Sequence, residues 1–166
     1  PLIGDRDFAA ELAAAARKHG VKWGAYIPPC TIESLVHEHP DWQSLTADGS
    51  PEARNWGFWN TVFCYNSPFR EHYLSMLREI AAKYRPHAFY IDGVIWGFSA
   101  CYCEHCKAKF RRETGLELPL KPDWTSRAWY DYLEWRYQQV AELSRDMHAA
   151  VHAVDPMITI IWNCGY

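Results

Sequence analysis

Apolar and polar positions along this chain switch between a helical period and short continuous runs, and the switches outline three strands with their helices. Residues 5–19 carry acids in the first turn, cations in the last and Gly20 as a stop, which predicts a helix. Phe8, Leu12 and the alanines are its expected buried stripe. Val21–Ile27 reads as a strand ended by Pro28-Pro29. From Pro28 to Asn66 nothing is strongly periodic. A structureless stretch of about forty residues inside a compact domain is usually functional.

Ser67-Pro68 is a helix start, a hydroxyl cap followed by proline in the first turn. Tyr73, Leu77, Ile80 and Tyr84 then form one apolar face, and the helix stops before Pro86. Ala88–Ile91 is a short apolar run that predicts a strand buried on both faces, and Asp92 closes it. Glu104–Thr114 reads as a short helix ending at Gly115, and Pro119 and Pro122 mark a turn region. From about 125 to 154 a long helix follows, with Trp129, Leu133, Val140, Met147 and Val154 down one side. Asp155-Pro156 breaks it, and Ile158–Trp162 is the next buried strand, with Asn163 at its carboxyl end.

The order α-β-α-β-α-β implies parallel strands with right-handed crossovers. Connections entering strands are short, whereas those leaving the first two are long. In a (β/α)8 barrel the long loops lie at the carboxyl ends of the strands, where active sites sit. The strand ends near Pro28, Asp92 and Asn163 are therefore expected to look into one cleft. A complete barrel takes about 250 residues, so the 166 residues here read as a section of one, a single partial-barrel domain over 1–166. An open doubly wound sheet is the alternative, but no glycine-rich phosphate turn follows any strand.

Composition narrows the function classes. The chain is 22% charged and 49% hydrophobic, as in a soluble globular domain, and its net charge of -3 argues against a nucleic-acid partner. No apolar run approaches the ~20 residues of a membrane helix. The chain starts at Pro1 without Met, so it reads as cut from something longer, and its N-terminus does not report localisation. Exposed sheet edges would then be covered by the remainder of the barrel or by a homo-oligomer partner. Nine Trp and ten Tyr offer flat faces with polar edges, which suits stacking on sugar rings.

Two pieces of chemistry share residues 88–106. Asp92 is an acid at the carboxyl end of a buried strand, followed at once by Gly93, the usual place for chemistry in an α/β enzyme; it could equally cap the following turn. Cys101, Cys103 and Cys106 are too close for all three to pair as disulfides, but can converge on one tetrahedral metal, zinc being the natural partner of thiolates. That clustering, with Cys30, Cys64 and Cys164 far off in sequence, favours metal binding in a reducing or neutral, cytoplasm-like setting over a secreted disulfide framework.

The run Cys64-Tyr65-Asn66-Ser67-Pro68-Phe69-Arg70-Glu71, the strand Phe89-Tyr90-Ile91-Asp92-Gly93, the stretch Cys101 to Pro119 and His39-Pro40-Asp41-Trp42 together resemble the bacterial glycoside hydrolases called hypothetical glycosyl hydrolase 6, which are α-L-fucosidase-like (β/α)8 barrels. The resemblance covers nearly the whole chain and implies that these strands are roughly the third to fifth of the barrel. It also implies a carbohydrate substrate, a fucoside or galactoside. The α-L-fucosidase type places its nucleophile at the end of the fourth strand before glycine, which Asp92 matches. The cysteines resemble those of family 42 β-galactosidases, in which an upstream cysteine completes a structural zinc site. That likeness implies zinc on Cys64, Cys101, Cys103 and Cys106, with His105 the awkward substitute for Cys64. Those enzymes carry Asp-Asn-Glu where this chain has Asp92-Gly93-Val94, so their acid/base is not carried over.

A retaining glycosidase needs a second carboxyl group about 5 Å from its nucleophile. Glu33, Glu38, Asp41, Asp48 and Glu52 lie in the long loop but read as solvated surface acids, which leaves that group unassigned. His39, Trp42, Asn66, Trp96 and Asn163 are the candidate substrate-binding residues, with Trp96 the best stacking candidate; His39 and Trp42 could equally cap a turn and pack the loop, and Asn66 and Asn163 could simply cap turns. Two rival readings are a non-catalytic carbohydrate-binding barrel and a zinc-stabilised interaction module.

Overall fold

The computed structural model describes residues 4–29, 33–52, 62–92 and 101–163. Three strands, β1 (Gly24–Tyr26), β2 (Ala88–Asp92) and β3 (Thr159–Asn163), form one parallel sheet in the order β1-β2-β3. The register sets Tyr26 beside Tyr90, Tyr90 beside Ile161, and Asp92 beside Asn163. Helices α1 (Phe8–Lys18), α3 (Phe69–Tyr84) and α5 (Arg127–His152) precede the strands in turn, and α1 packs on α3, which packs on α5. Two shorter helices, α2 (Glu33–Glu38) and α4 (Glu104–Thr114), lie in the connections that leave β1 and β2. Among the described residues no helix is long and apolar enough to cross a membrane.

Helix ends follow their caps. Asp7 caps α1 by accepting the Ala10 N–H at 3.0 Å. Ser67 accepts the Phe69 N–H at 3.2 Å as α3 begins. Gly115 ends α4 at φ +74°, a left-handed conformation that costs a side-chain-bearing residue about 1 kcal/mol or more. A Cβ there would meet nothing within 4 Å, so Gly115→Ala should lose about 1 kcal/mol from backbone strain alone, read as a lower urea midpoint with unchanged m-value.

The core lies on one side of the sheet. Phe89 and Ile91 are buried with Leu77, Ala81, Leu143 and Val151, and α4 is tied in where Phe110 meets Tyr132 and Trp135 edge-on. Trp135 also donates to Glu113 at 2.7 Å. The strands are not buried on both faces as expected. Tyr26, Tyr90 and Ile161 on the opposite side remain 37–50% exposed, because that side is the interior of a closed barrel and three strands do not enclose it.

Helix α1 departs from its expected stripe as well. Phe8 and Leu12 are about half exposed, while Ala13 is buried. Its less exposed positions are Ala9, Ala10, Ala13 and Ala16, small side chains that let a helix lie close to its neighbour. The described parts of the long loop hold more structure than its lack of period suggests: α2 and a 3₁₀ turn at Pro40–Trp42 are too short to show a repeat, and isolated antiparallel bridges join Gln43 to Phe63 and Leu45 to Pro51.

Candidate functional site

Each strand delivers one side chain to the carboxyl end of the sheet. Asp92, the last residue of β2, accepts the Tyr26 hydroxyl on Oδ2 at 2.6 Å and the Asn163 amide on Oδ1 at 2.6 Å. Both donors come from adjacent strands, so parallel pairing fixes the carboxylate from both sides. Tyr26 in turn stacks on Tyr90 of β2, with ring centroids 5.6 Å apart and planes 19° from parallel. Hydrogen bonds to a carboxylate are the stronger kind, so this small array is well oriented although half exposed. Tyr26 is not among the residues expected at the site from the sequence. The signal was available: in a strand ending near Ile27, residue 26 faces the same side as Asp92 once the strands are in register.

The loop residues are placed differently. His39 stacks on Trp42 with centroids 3.7 Å apart and planes 3° from parallel, and Phe69 and His72 tilt against the same indole. The indole face toward His39 is therefore already covered. Trp96, Cys30 and Cys164 lie outside the described residues. Of the loop acids, Glu38, Asp41 and Asp48 are exposed as expected, and the Thr46 hydroxyl and Ser50 N–H hold the Asp48 carboxyl down to about 2. Glu52 is a correction: it is buried, and the Ser44 hydroxyl donates to its Oε2 at 2.8 Å. The backbone pairing of Ser44 with residue 52 folds it inward, which no local pattern announces.

Four thiols meet on the other side of this loop. Cys64 is anchored by its N–H to the Trp42 carbonyl at 2.8 Å; Cys103 caps α4 and Cys106 lies in its first turn. The Tyr102 N–H donates to the Leu45 carbonyl at 2.8 Å, which brings Cys101 in. All four cysteines are buried and free, and their sulfurs lie within 4.8 Å of one another, with Cys64 3.4 Å from both Cys103 and Cys106. His105 stands apart from this group, lining an open cleft of about 370 Å³ with Arg70, Glu71 and Asp146.

These residues fit a metal ion. Four sulfurs around a tetrahedral ion at about 2.3 Å lie about 3.8 Å from one another, close to the spacing present here. The donors are soft, equivalent and contributed by two separate loops. Burial, with hydrogen bonds to the neighbouring thiols, pushes Cys64 up, while hydrogen bonds from Cys103, Cys106 and Cys64 pull Cys101 down. Thiolates packed this closely repel one another, and a dication among them would offset that repulsion. The N-terminus of α4 adds the positive end of a helix dipole.

Asn66 belongs to this cluster by contact. Its N–H donates to Cys64 Sγ at 3.3 Å and its side-chain amide donates to Cys106 Sγ at 3.4 Å.

Comparison with known proteins places these features in a family. Among solved structures, the chain is similar over 98% of its length to α-L-fucosidase isoenzyme 2 from Paenibacillus thiaminolyticus, at 25% identity and TM-score 0.75, covering 23% of that chain. It is similar over 92% of its length to the β-galactosidase from Bacillus circulans sp. alkalophilus, at 15% identity and TM-score 0.68, covering 28% of that chain. Over 94% it is similar to the α-galactosidase from Lactobacillus brevis, at 13% identity and TM-score 0.59, covering 18% of that chain. The last two are likenesses of fold alone. The chain thus spans about a quarter or less of two of these structures and 28% of the third, and it forms a section of a (β/α)8 barrel. No curated protein sequence matches it. Residues 27–154, which include Asp92 and all four clustered cysteines, match the β-galactosidase family of glycoside hydrolase family 42, and the chain belongs to that family.

Proposed function

We propose that Asp92 is the nucleophile of a retaining glycoside hydrolase acting on an α-L-fucoside or a galactoside. The observation that carries this reading is the pair of 2.6 Å hydrogen bonds that fix both oxygens of a strand-end carboxylate. A nucleophile must present one oxygen to the anomeric carbon within a narrow range of directions, and two donors on neighbouring strands give that orientation in advance. One oxygen attacks, the bond to the leaving oxygen breaks, and a second carboxylic acid about 5 Å away protonates the departing group. The attacking oxygen becomes an ester oxygen and loses most of its acceptor strength. Its donor is released, while the other donor stays on the ester carbonyl. Water activated by the second carboxylate then cleaves the ester with a second inversion.

The family match supports the galactoside reading, and the 25% identity with an α-L-fucosidase over 98% of the chain supports the fucoside reading. Asn163, exposed beside Asp92, is the sugar-facing residue best supported by position. Trp96, four residues beyond Asp92, is the proposed stacking platform. His39 and Trp42 would offer only the ring surfaces that their mutual stacking leaves open. We take the metal of the thiol cluster to be zinc. Four thiolates leave no open position for water, so it braces the loops around the cleft and takes no part in bond cleavage.

The test is to trap the intermediate. A complete-barrel protein carrying this section, incubated with a 2-deoxy-2-fluoroglycosyl fluoride, should yield a peptide labelled on Asp92 by mass spectrometry; a label on any other carboxylate sinks the assignment. Tyr26→Phe keeps the stack on Tyr90 but removes one charged hydrogen bond, worth roughly 1.5–3 kcal/mol. It should lower kcat by about tenfold or more with little change in KM, measured with an aryl glycoside.

A further inference from the structure

We infer that Asn66 is a positioning residue of the metal centre, which holds the Cys64 and Cys106 thiolates and offsets their charge, and is not a sugar ligand. This inference rests on reading the cluster as a metal site. Asn66 spends two donors on two different sulfurs, the backbone N–H on Cys64 at 3.3 Å and the side-chain amide on Cys106 at 3.4 Å. Its remaining polar atom is engaged as well: Oδ1 accepts the Lys109 ammonium at 3.4 Å, and that ammonium is held by Glu142 at 2.7 Å. These partners decide which way the amide points. Turned over, it would aim oxygen lone pairs at a thiolate and N–H groups at an ammonium, so only the present orientation satisfies both neighbours.

Four thiolates around a dication leave two net negative charges in a buried site. Each N–H directed at a sulfur relieves part of that charge without displacing the metal. Asn66 does this with a side chain polarised from behind by Lys109, which is itself largely buried and cannot reorganise freely. The amide therefore links the cluster to the ion pair of Lys109 with Glu142 that joins α4 to α5, and α3 enters the same network through Arg70, which lies 3.8 Å from Glu142 and also pairs with Asp146.

The chain itself can be tested with metal as the probe. Loaded with NMR-active cadmium, the unaltered protein should show scalar coupling from the metal to the Cys β-protons and, across N–H···S bonds, to both the backbone and side-chain amide protons of Asn66. Asn66→Ala should bind Co(II) and Zn(II) about 10–100-fold more weakly in chelator competition. Its sulfur-to-cobalt charge-transfer band should move to longer wavelength, because a sulfur without its donor gives up an electron more easily. Lys109→Met should shift both readouts in the same direction by less. Coupling to the cysteines without coupling to Asn66, or wild-type affinity and an unmoved band in Asn66→Ala, overturns the inference. An unaltered protein that binds no metal overturns it too, by removing the site on which it rests. If Asn66→Ala does not fold, the cadmium couplings decide alone.

Discussion

Asp92→Asn is expected to abolish turnover of aryl glycosides by a complete-barrel protein carrying this section, by roughly four orders of magnitude, without loss of fold or of bound metal. The substitution keeps the shape of the side chain. It replaces a charged oxygen that can form a glycosyl ester with an amide that cannot. Its geometry is nearly preserved because one amide oxygen still accepts from Tyr26 or Asn163; the other donor then faces an N–H group and must turn to solvent, which the half-exposed setting allows. The companion variant Asp92→Gly makes the test specific. It opens room for azide on the nucleophile's side of the ring, so added azide should restore turnover of an activated substrate and give a glycosyl azide of inverted configuration. Turnover within tenfold of wild type in Asp92→Asn would sink the nucleophile assignment and leave the carboxylate as a substrate-binding group on a barrel of the same family.

How much of this was legible beforehand depends on the range of the interactions. Caps and stops are local, so the boundaries at Gly115 and before Pro86, and the place of Asp92 at the end of its strand, were readable from neighbouring residues. The cysteine cluster was readable in part. Cys101, Cys103 and Cys106 declare themselves by spacing, whereas Cys64 is some forty positions away and joins them through the Trp42 carbonyl. Tyr26 was missed and Glu52 misread for one reason: each takes its place from a partner outside its own segment. Tyr26 needs the register of β1 against β2 and Glu52 needs the pairing with Ser44, just as the contacts of Asn66 with Cys106 and Lys109 cross between segments. Burial failed similarly. An apolar run such as Ala88–Ile91 reports that both faces suit an interior, but only the surrounding chain decides whether both are covered.

Removing one thiol should cost the protein its metal and much of its stability. Cys103→Ser is the informative choice because Cys103 occupies the N-cap of α4 and makes no side-chain cap bond there. Serine is a preferred N-cap, so α4 itself should be no worse, and any loss of stability reports the metal. A hydroxyl is a poor zinc ligand, and with three thiolates left the site should weaken by a factor of 1,000 or so. By linkage that removes about 4 kcal/mol of stabilisation. For a chain of this length the result is a Tm lower by roughly 10 °C. Elemental analysis should find one zinc per unaltered chain and little in the variant. A strong chelator should lower the Tm of the unaltered protein toward that of Cys103→Ser and leave the variant where it is. Equal responses of the two proteins to chelator, or an unaltered chain that is metal-free and equally stable, would mean that the four cysteines are ordinary buried thiols and that packing alone braces the rim of the cleft.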